Sequence, residues 1–327
     1  MRKTLLFSLL LLGTTLLFAQ TDRKVAVLDL TVRNAESNLS RIRSAIRVCE
    51  LAGIAYDTTS NLNTALNYPI ILFATRVQSS TFNSSETQQI IDYVSNGGVT
   101  IISSLRDNEL YAVAGVSEAT SINTLYKLTW ETSTYPELFY KINDTLETTI
   151  SLGRASSGPT FFTRYYTLNG GTALAHYEND SVASIYNEFG NDFCYTIGSD
   201  FREVIYRNQI NADVSAQRTY SNGFEPTSDV ISFWVRNIVR KHIPNTVHKY
   251  TIPSNAKSVM LTTHDIDSRS AMDTMQLFSG YEKNENIPSQ YNITTRYFND
   301  ALMSNYYVGT SSLITDVIND GHTIASH

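Results

Sequence analysis

Apolar positions along the chain fall into two periods. Over residues 24–30 (Lys-Val-Ala-Val-Leu-Asp-Leu) and 69–74 (Pro-Ile-Ile-Leu-Phe-Ala) they are nearly continuous, as expected of parallel strands covered on both faces. Between them, Leu39, Ile42, Ile46 and Cys49 recur at steps of three and four, which predicts a helix over 38–51 that ends at Gly53. Ile54-Ala55-Tyr56 opens another strand. Residues 85–95 form a second helix, with capping-box spacing from Ser85 to Gln88 and a stop at Gly97-Gly98. Val99 to Ser103 is the next strand. Strands alternating with helices over short links predict a doubly wound parallel sheet.

From about residue 128 to 201 the pattern shortens. Strand-like pieces at 161–167, 172–177, 181–187 and 193–197 are separated by Asn, Gly and Asp turns, so this region reads as a β-rich extension of the sheet. A helix over 229–240 closes the first domain, with Ile231, Trp234, Val235 and Ile238 on one face. The first domain therefore runs over 22–245. A linker with Pro253, Ser254 and Asn255 follows over 246–256, and His242 and His248 read as solvated linker side chains. Residues 257–327 then show strand (258–263), helix (272–278), strand (290–298) and helix (311–319), the opening of a (β/α) barrel. The fold class is α/β throughout.

At 327 residues two domains are expected. A net charge of −6 argues against a nucleic-acid partner, which would need a basic face. Residues 1–19 have a basic start (Arg2, Lys3), a Leu-rich run and Leu17-Phe18-Ala19 before a polar stretch, the pattern of a secretory signal peptide cleaved after Ala19. The expected protein is exported, with no membrane span after signal removal. The two cysteines, Cys49 and Cys194, make no disulfide framework. They read as buried thiols in preference to a single bridge.

Candidate chemistry gathers at the end of the chain. An apolar run from Val259 empties into His264-Asp265-Ile266-Asp267, and the last residues are Gly321-His322-Thr323-Ile324-Ala325-Ser326-His327. Acids at the carboxyl end of a strand are placed for catalysis in a parallel-sheet enzyme. One carboxylate can bind a metal while the other takes a proton from its water, and a His from another strand suits zinc or a similar divalent ion. Asp-x-Asp by itself also occurs in calcium loops and in sugar-nucleotide transferases; export opposes the latter.

The two segments resemble the first two motifs of the NodB-type polysaccharide deacetylases (carbohydrate esterase 4-like), Thr263-His264-Asp265-Ile266-Asp267 in a variant form of the first and Gly321 to His327 as the second. The resemblance implies an exported metal-dependent deacetylase that removes N-acetyl or O-acetyl groups from an acetylated polysaccharide, a hydrolase acting on carbon–nitrogen bonds. Asp265 would be the general base, Asp267 and His327 ligands of a divalent metal, zinc by expectation. The family's third ligand lies past residue 327, so a chain truncated within its catalytic domain is expected. The family position of His264 is a packing one. The first domain resembles the glutamine-amidotransferase-like, flavodoxin-like domains, by its Gly97 to Ile102 turn and strand and its Phe193 to Phe201 stretch. It lacks a Cys after the strand at 99–103, and a Ser104/His176/Glu178 hydrolase lacks the glycines of a nucleophile elbow. The alternative for the whole chain is a non-enzymatic exported α/β binding protein.

Overall fold

The computed structural model describes residues 23–36, 38–142, 144–152, 162–209, 226–249, 259–297, 302 and 305–327. The expected signal peptide and most of the expected linker lie outside the described residues. The chain divides into two compact units, Met1–Thr251 and Ile252–His327.

In the first unit, strands β1 (Val25–Leu28), β2 (Tyr56–Thr59), β3 (Ile70–Phe73) and β4 (Val99–Ser103) are parallel, in the order β2-β1-β3-β4. Helix α1 (Ser40–Ala52) links β1 to β2, α2 (Leu62–Ala65) links β2 to β3, and α3 (Ser84–Ser95) links β3 to β4. A short helix α4 (Tyr111–Ala114) then leads into β5 (Val116–Ile122). The β-rich extension comprises β5, β6 (Lys127–Trp130), β7 (Thr149–Ser151), β8 (Thr163–Leu168), β9 (Thr172–Tyr177), β10 (Val182–Phe189) and β11 (Asp192–Ile197). It joins the same sheet, because β11 runs parallel to β4 with Cys194 opposite Thr100. The result is a mixed α/β unit around one 11-stranded sheet.

Why β1 and β3 are continuously apolar is visible in their packing. Val25, Val27, Ile70 and Leu72 face one core with Val48 and Cys49 of α1 and Trp234 and Ile238 of α5 (Val230–His242). Ala26, Leu28, Ile71 and Phe73 face the other, with Leu62 of α2 and Ile90 and Val94 of α3. Each strand thus feeds a core on both faces. Cys49 and Cys194 are both buried and free. Gly53 ends α1 at φ +66°, where a Cβ would sit 2.1 Å from Lys249 O, so only glycine fits the turn.

Local chemistry moves some expected boundaries. Helix α3 is capped by Asn83, whose side chain accepts from Glu86 N while Glu86 accepts from Asn83 N. The capping box therefore lies two residues before the spacing read from Ser85, because Glu86 stands at the third helical position where the reciprocal bond needs it. His242 is no linker residue. It ends α5 against Tyr195 Oη (2.9 Å) and Asp192 (3.1 Å). His248 is held in a bridge with Ile54, and burial lowers its pKa.

The second unit has a three-stranded parallel sheet, β12 (Thr262–Ile266), β13 (Ser289–Ile293) and β14 (Thr323–Ser326), in that order. Helices α6 (Arg269–Asn284) and α7 (Thr310–Asn319) connect them. Its core is small and includes Ile266, Met272, Tyr291, Tyr306 and Val317. The apolar run expected as a buried strand, Val259-Met260-Leu261, is exposed and precedes β12. The strand itself is the polar stretch Thr-Thr-His-Asp-Ile, paired residue for residue with β13. Register with a neighbour decides here over local hydrophobicity. No helix among the described residues is long and apolar enough to cross a membrane.

Candidate functional site

In the first unit the carboxyl ends of β1, β3, β4 and β11 open onto one cleft of about 590 Å³. The order β2-β1-β3-β4 reverses direction between β1 and β3, and ligand crevices in open parallel sheets lie outside the strand ends at such a reversal. Arg41 comes from the first turn of α1, Arg76 follows β3, Ser104 and Arg106 follow β4, and Asp200, Arg202 and Glu203 follow β11. Arg164 reaches in from β8. A second lobe of about 350 Å³ shares Arg41, Arg76 and Arg202 and adds Glu36.

Six arginines line the larger lobe against two carboxylates, a surplus of four positive charges. Glu36 in the adjoining lobe lowers it to three. All three carboxylates lie in ion pairs, although neither Glu36 oxygen nor Glu203 Oε2 accepts a hydrogen bond. Asp200 takes Arg41 Nε at 2.5 Å, Glu36 takes Arg41 Nη1 at 2.9 Å and lies 3.6 Å from Arg76 Nε, and Glu203 lies 3.0 Å from Arg207 and 3.5 Å from Arg202. Burial works against the charge of Arg41, yet Asp200 and Glu36 hold its pKa above the ordinary value. Burial pushes Glu203 up, against the pull of Arg207 and Arg202.

Arg164 is different. It is 4% exposed, its Nη1 donates to Thr163 O at 3.1 Å, and its Nε has no hydrogen-bond partner. Among the described residues neither Arg164 nor Arg106 has a carboxylate within 4.0 Å. Burial first, then the neighbouring Arg106 and Arg76, push the Arg164 pKa down to about 10. A buried cation without a counter-ion is costly. Beside two more cations it is a site that an anion would relieve. Ser104, on the cleft wall, holds a left-handed backbone (φ +55°) and is 3% exposed. A non-glycine residue in that region costs about 1 kcal/mol or more and marks functional strand ends.

This cleft escaped sequence reasoning because its arginines are scattered from 41 to 207 and no two of them fall within a motif. The only local signals were the run of turn residues after each strand. The Ser104/His176/Glu178 arrangement does not form. His176 pairs with Glu131 at 3.1 Å, and the Glu178 carboxylate accepts from Tyr126 N and Lys127 N.

In the second unit the three residues expected to act together do meet. His327 Nδ1 lies 3.3 Å from Asp267 and its Nε2 lies 3.7 Å from Asp265. Asp265 also accepts from Asn292 Nδ2 (2.9 Å), and Asp267 from Thr294 Oγ1 (2.6 Å). The metal expectation is corrected by this geometry. The two acids lie near opposite nitrogens of one imidazole and accept from side-chain donors of β13 and the residue after it, and one imidazole cannot turn both its nitrogens to a single ion. Among the described residues no group of three or more His, Cys, Asp or Glu could hold a metal ion. Zinc or another divalent cofactor on Asp267 and His327 is therefore withdrawn. His264 packs as expected, its Nε2 2.7 Å from Glu282, which also accepts from Tyr291 Oη at 2.8 Å. His322 is buried between Ser289 N and Ser279 O.

No family model matches the chain, and no curated protein matches it. Solved structures similar to it include the β-galactosidase of Bacillus circulans sp. alkalophilus (11% identity, TM-score 0.43, 68% of this chain and 31% of that one). Another is α-L-fucosidase isoenzyme 2 of Paenibacillus thiaminolyticus (10%, 0.44, 68% and 33%). A third is an exo-β-1,4-mannosidase of Opitutaceae bacterium strain TAV5 (10%, 0.40, 55% and 32%). The chain spans about a third of the length of each. All three are glycosidases by name, and none is a deacetylase or an amidotransferase. The resemblance to NodB-type deacetylases and to amidotransferase-like domains is corrected, since no family model of either kind matches the chain. With it goes the assignment to hydrolysis of carbon–nitrogen bonds on an acetylated polysaccharide.

Proposed function

We propose that the first unit binds an anionic ligand in the arginine cleft, as a doubly wound α/β module with its site at the reversal between β1 and β3. The observation that carries the reading is Arg164, buried, lacking a carboxylate and set against Arg106 and Arg76. Three features support it. Parallel strand ends and the turns after them present several side chains to one point. Guanidinium forks match carboxylate, sulfate and phosphate oxygens in pairs. And the surplus charge of the cleft stands out against a chain of net charge −6, so an anion is focused there rather than over the surface.

The test is thermal unfolding of the full chain with and without inorganic sulfate or phosphate, at constant ionic strength. Binding to the folded state alone stabilises by about 2.7 kcal/mol at a hundredfold excess over Kd. The wild type is expected to rise in Tm with sulfate, and Arg164→Met is expected not to. A wild type that gains no more than Arg164→Met refutes the reading.

A further inference from the structure

We infer that the ligand of this cleft is a sugar acid, a hydroxylated ring carrying a carboxylate. The inference rests on the anion reading above and concerns the body of the ligand. Phe162 immediately precedes β8, and Arg164 is the second residue of that strand. Ser121 of β5 stands opposite Arg164 in the β5–β8 register, which puts the two side chains on one face of the sheet. All three line the larger lobe. The strand register thus sets a hydroxyl beside a buried cation, and an aromatic ring shares their cleft.

Each offers one part of a ligand its match. Phe162 is 67% exposed and lies along the cleft wall, a flat apolar surface for the C–H face of a sugar ring. Arg164 takes the carboxylate in a paired fork. Ser121 and Ser104 supply hydroxyls for ring hydroxyls. Ser104 is 3% exposed and lines the lobe, so its hydroxyl is held in place beside the Arg164 and Arg106 side chains. The cleft of about 590 Å³ is within the size range of small-ligand sites. A nucleotide would also offer an anion and a flat ring. Its base edges call for amide groups, and among the described residues no Asn or Gln lines this lobe.

Calorimetric titration of the full chain with glucuronate, acetate, methyl glucoside, adenosine monophosphate and sulfate tests this. Glucuronate is expected to bind at least tenfold tighter than acetate, and tighter than methyl glucoside or the nucleotide. In Phe162→Ala the ratio of glucuronate to acetate affinity is expected to fall toward one. Phe162 is exposed, so this variant folds; near-ultraviolet circular dichroism checks it. Glucuronate binding no tighter than acetate, a ratio unmoved by Phe162→Ala, or tighter nucleotide binding each overturns the sugar-acid inference while sulfate binding keeps the cleft reading standing. Loss of all binding, sulfate included, removes both.

Discussion

Arg164 carries more of this account than any other side chain. Its Nε is unpartnered, its pKa is pushed down by burial and by two neighbouring arginines, and Asp200 opposes them only from beyond 4.0 Å. Replacing a buried charge that lacks a partner with an apolar side chain of similar length is commonly neutral or stabilising, by about 1–4 kcal/mol. Arg164→Met should therefore unfold at equal or higher urea than the wild type when no anion is present. A clear loss of stability would show that Arg164 already has a partner. Glu86 is the contrasting residue, fully answered. Arg33 donates to both its oxygens at 2.8 and 2.9 Å, which holds the Glu86 pKa below the ordinary value although burial opposes it. Its folded pKa is depressed, so its contribution is present above the unfolded value near 4.5 and fades as pH falls through the folded value. The pair is about a quarter exposed, so about 0.5–1 kcal/mol is at stake. The urea midpoint of Glu86→Gln should lie below that of the wild type at pH 7, and the gap should close by about pH 3. A gap of equal size at both pH values would place the stabilisation elsewhere.

Among elements, the crossing of β8 over the end of β11 sets the cleft. Arg164 N donates to Gly198 O at 3.1 Å, and Gly198 N donates to Ala183 O at 2.8 Å. A Cβ on Gly198 would lie 1.9 Å from Arg164 O. Gly198→Ala must push β8 away, which costs about 1–3 kcal/mol in a packed site and shifts Arg164. Both the denaturation midpoint and sulfate binding should drop; retention of sulfate affinity would show that β8 placement does not govern the site. At this scale the sequence was informative where one period dominates. The continuous apolar runs of β1 and β3, the α1 periodicity closed by Gly53 and the α5 face with Trp234 were all legible. It misled where pairing decides. Strand β12 is polar and the apolar run before it is exposed. Strands β5 and β6 had no recognisable pattern, because β5 is mostly exposed or half-buried and is defined by its register with β8.

Over the whole molecule, charge is unevenly placed. The chain carries a net −6, yet one lobe of the first unit gathers six arginines around two acids. Such an arrangement is invisible to composition, since residues from 41 to 207 meet only after the parallel sheet and its antiparallel extension have joined at β4 and β11. Asp265, Asp267 and His327, which look like a site in the sequence, lie near one another in the second unit. Their chemistry was not legible, because it depends on how two carboxylates turn toward one imidazole. The central claim is that the arginine cleft takes an anion. The most direct measurement is a crystal structure grown or soaked with selenate, which anomalous scattering locates unambiguously. The account predicts a selenate peak within hydrogen-bonding distance of the Arg164 and Arg106 guanidinium groups. Selenate found at other surface sites with none at Arg164 would contradict it.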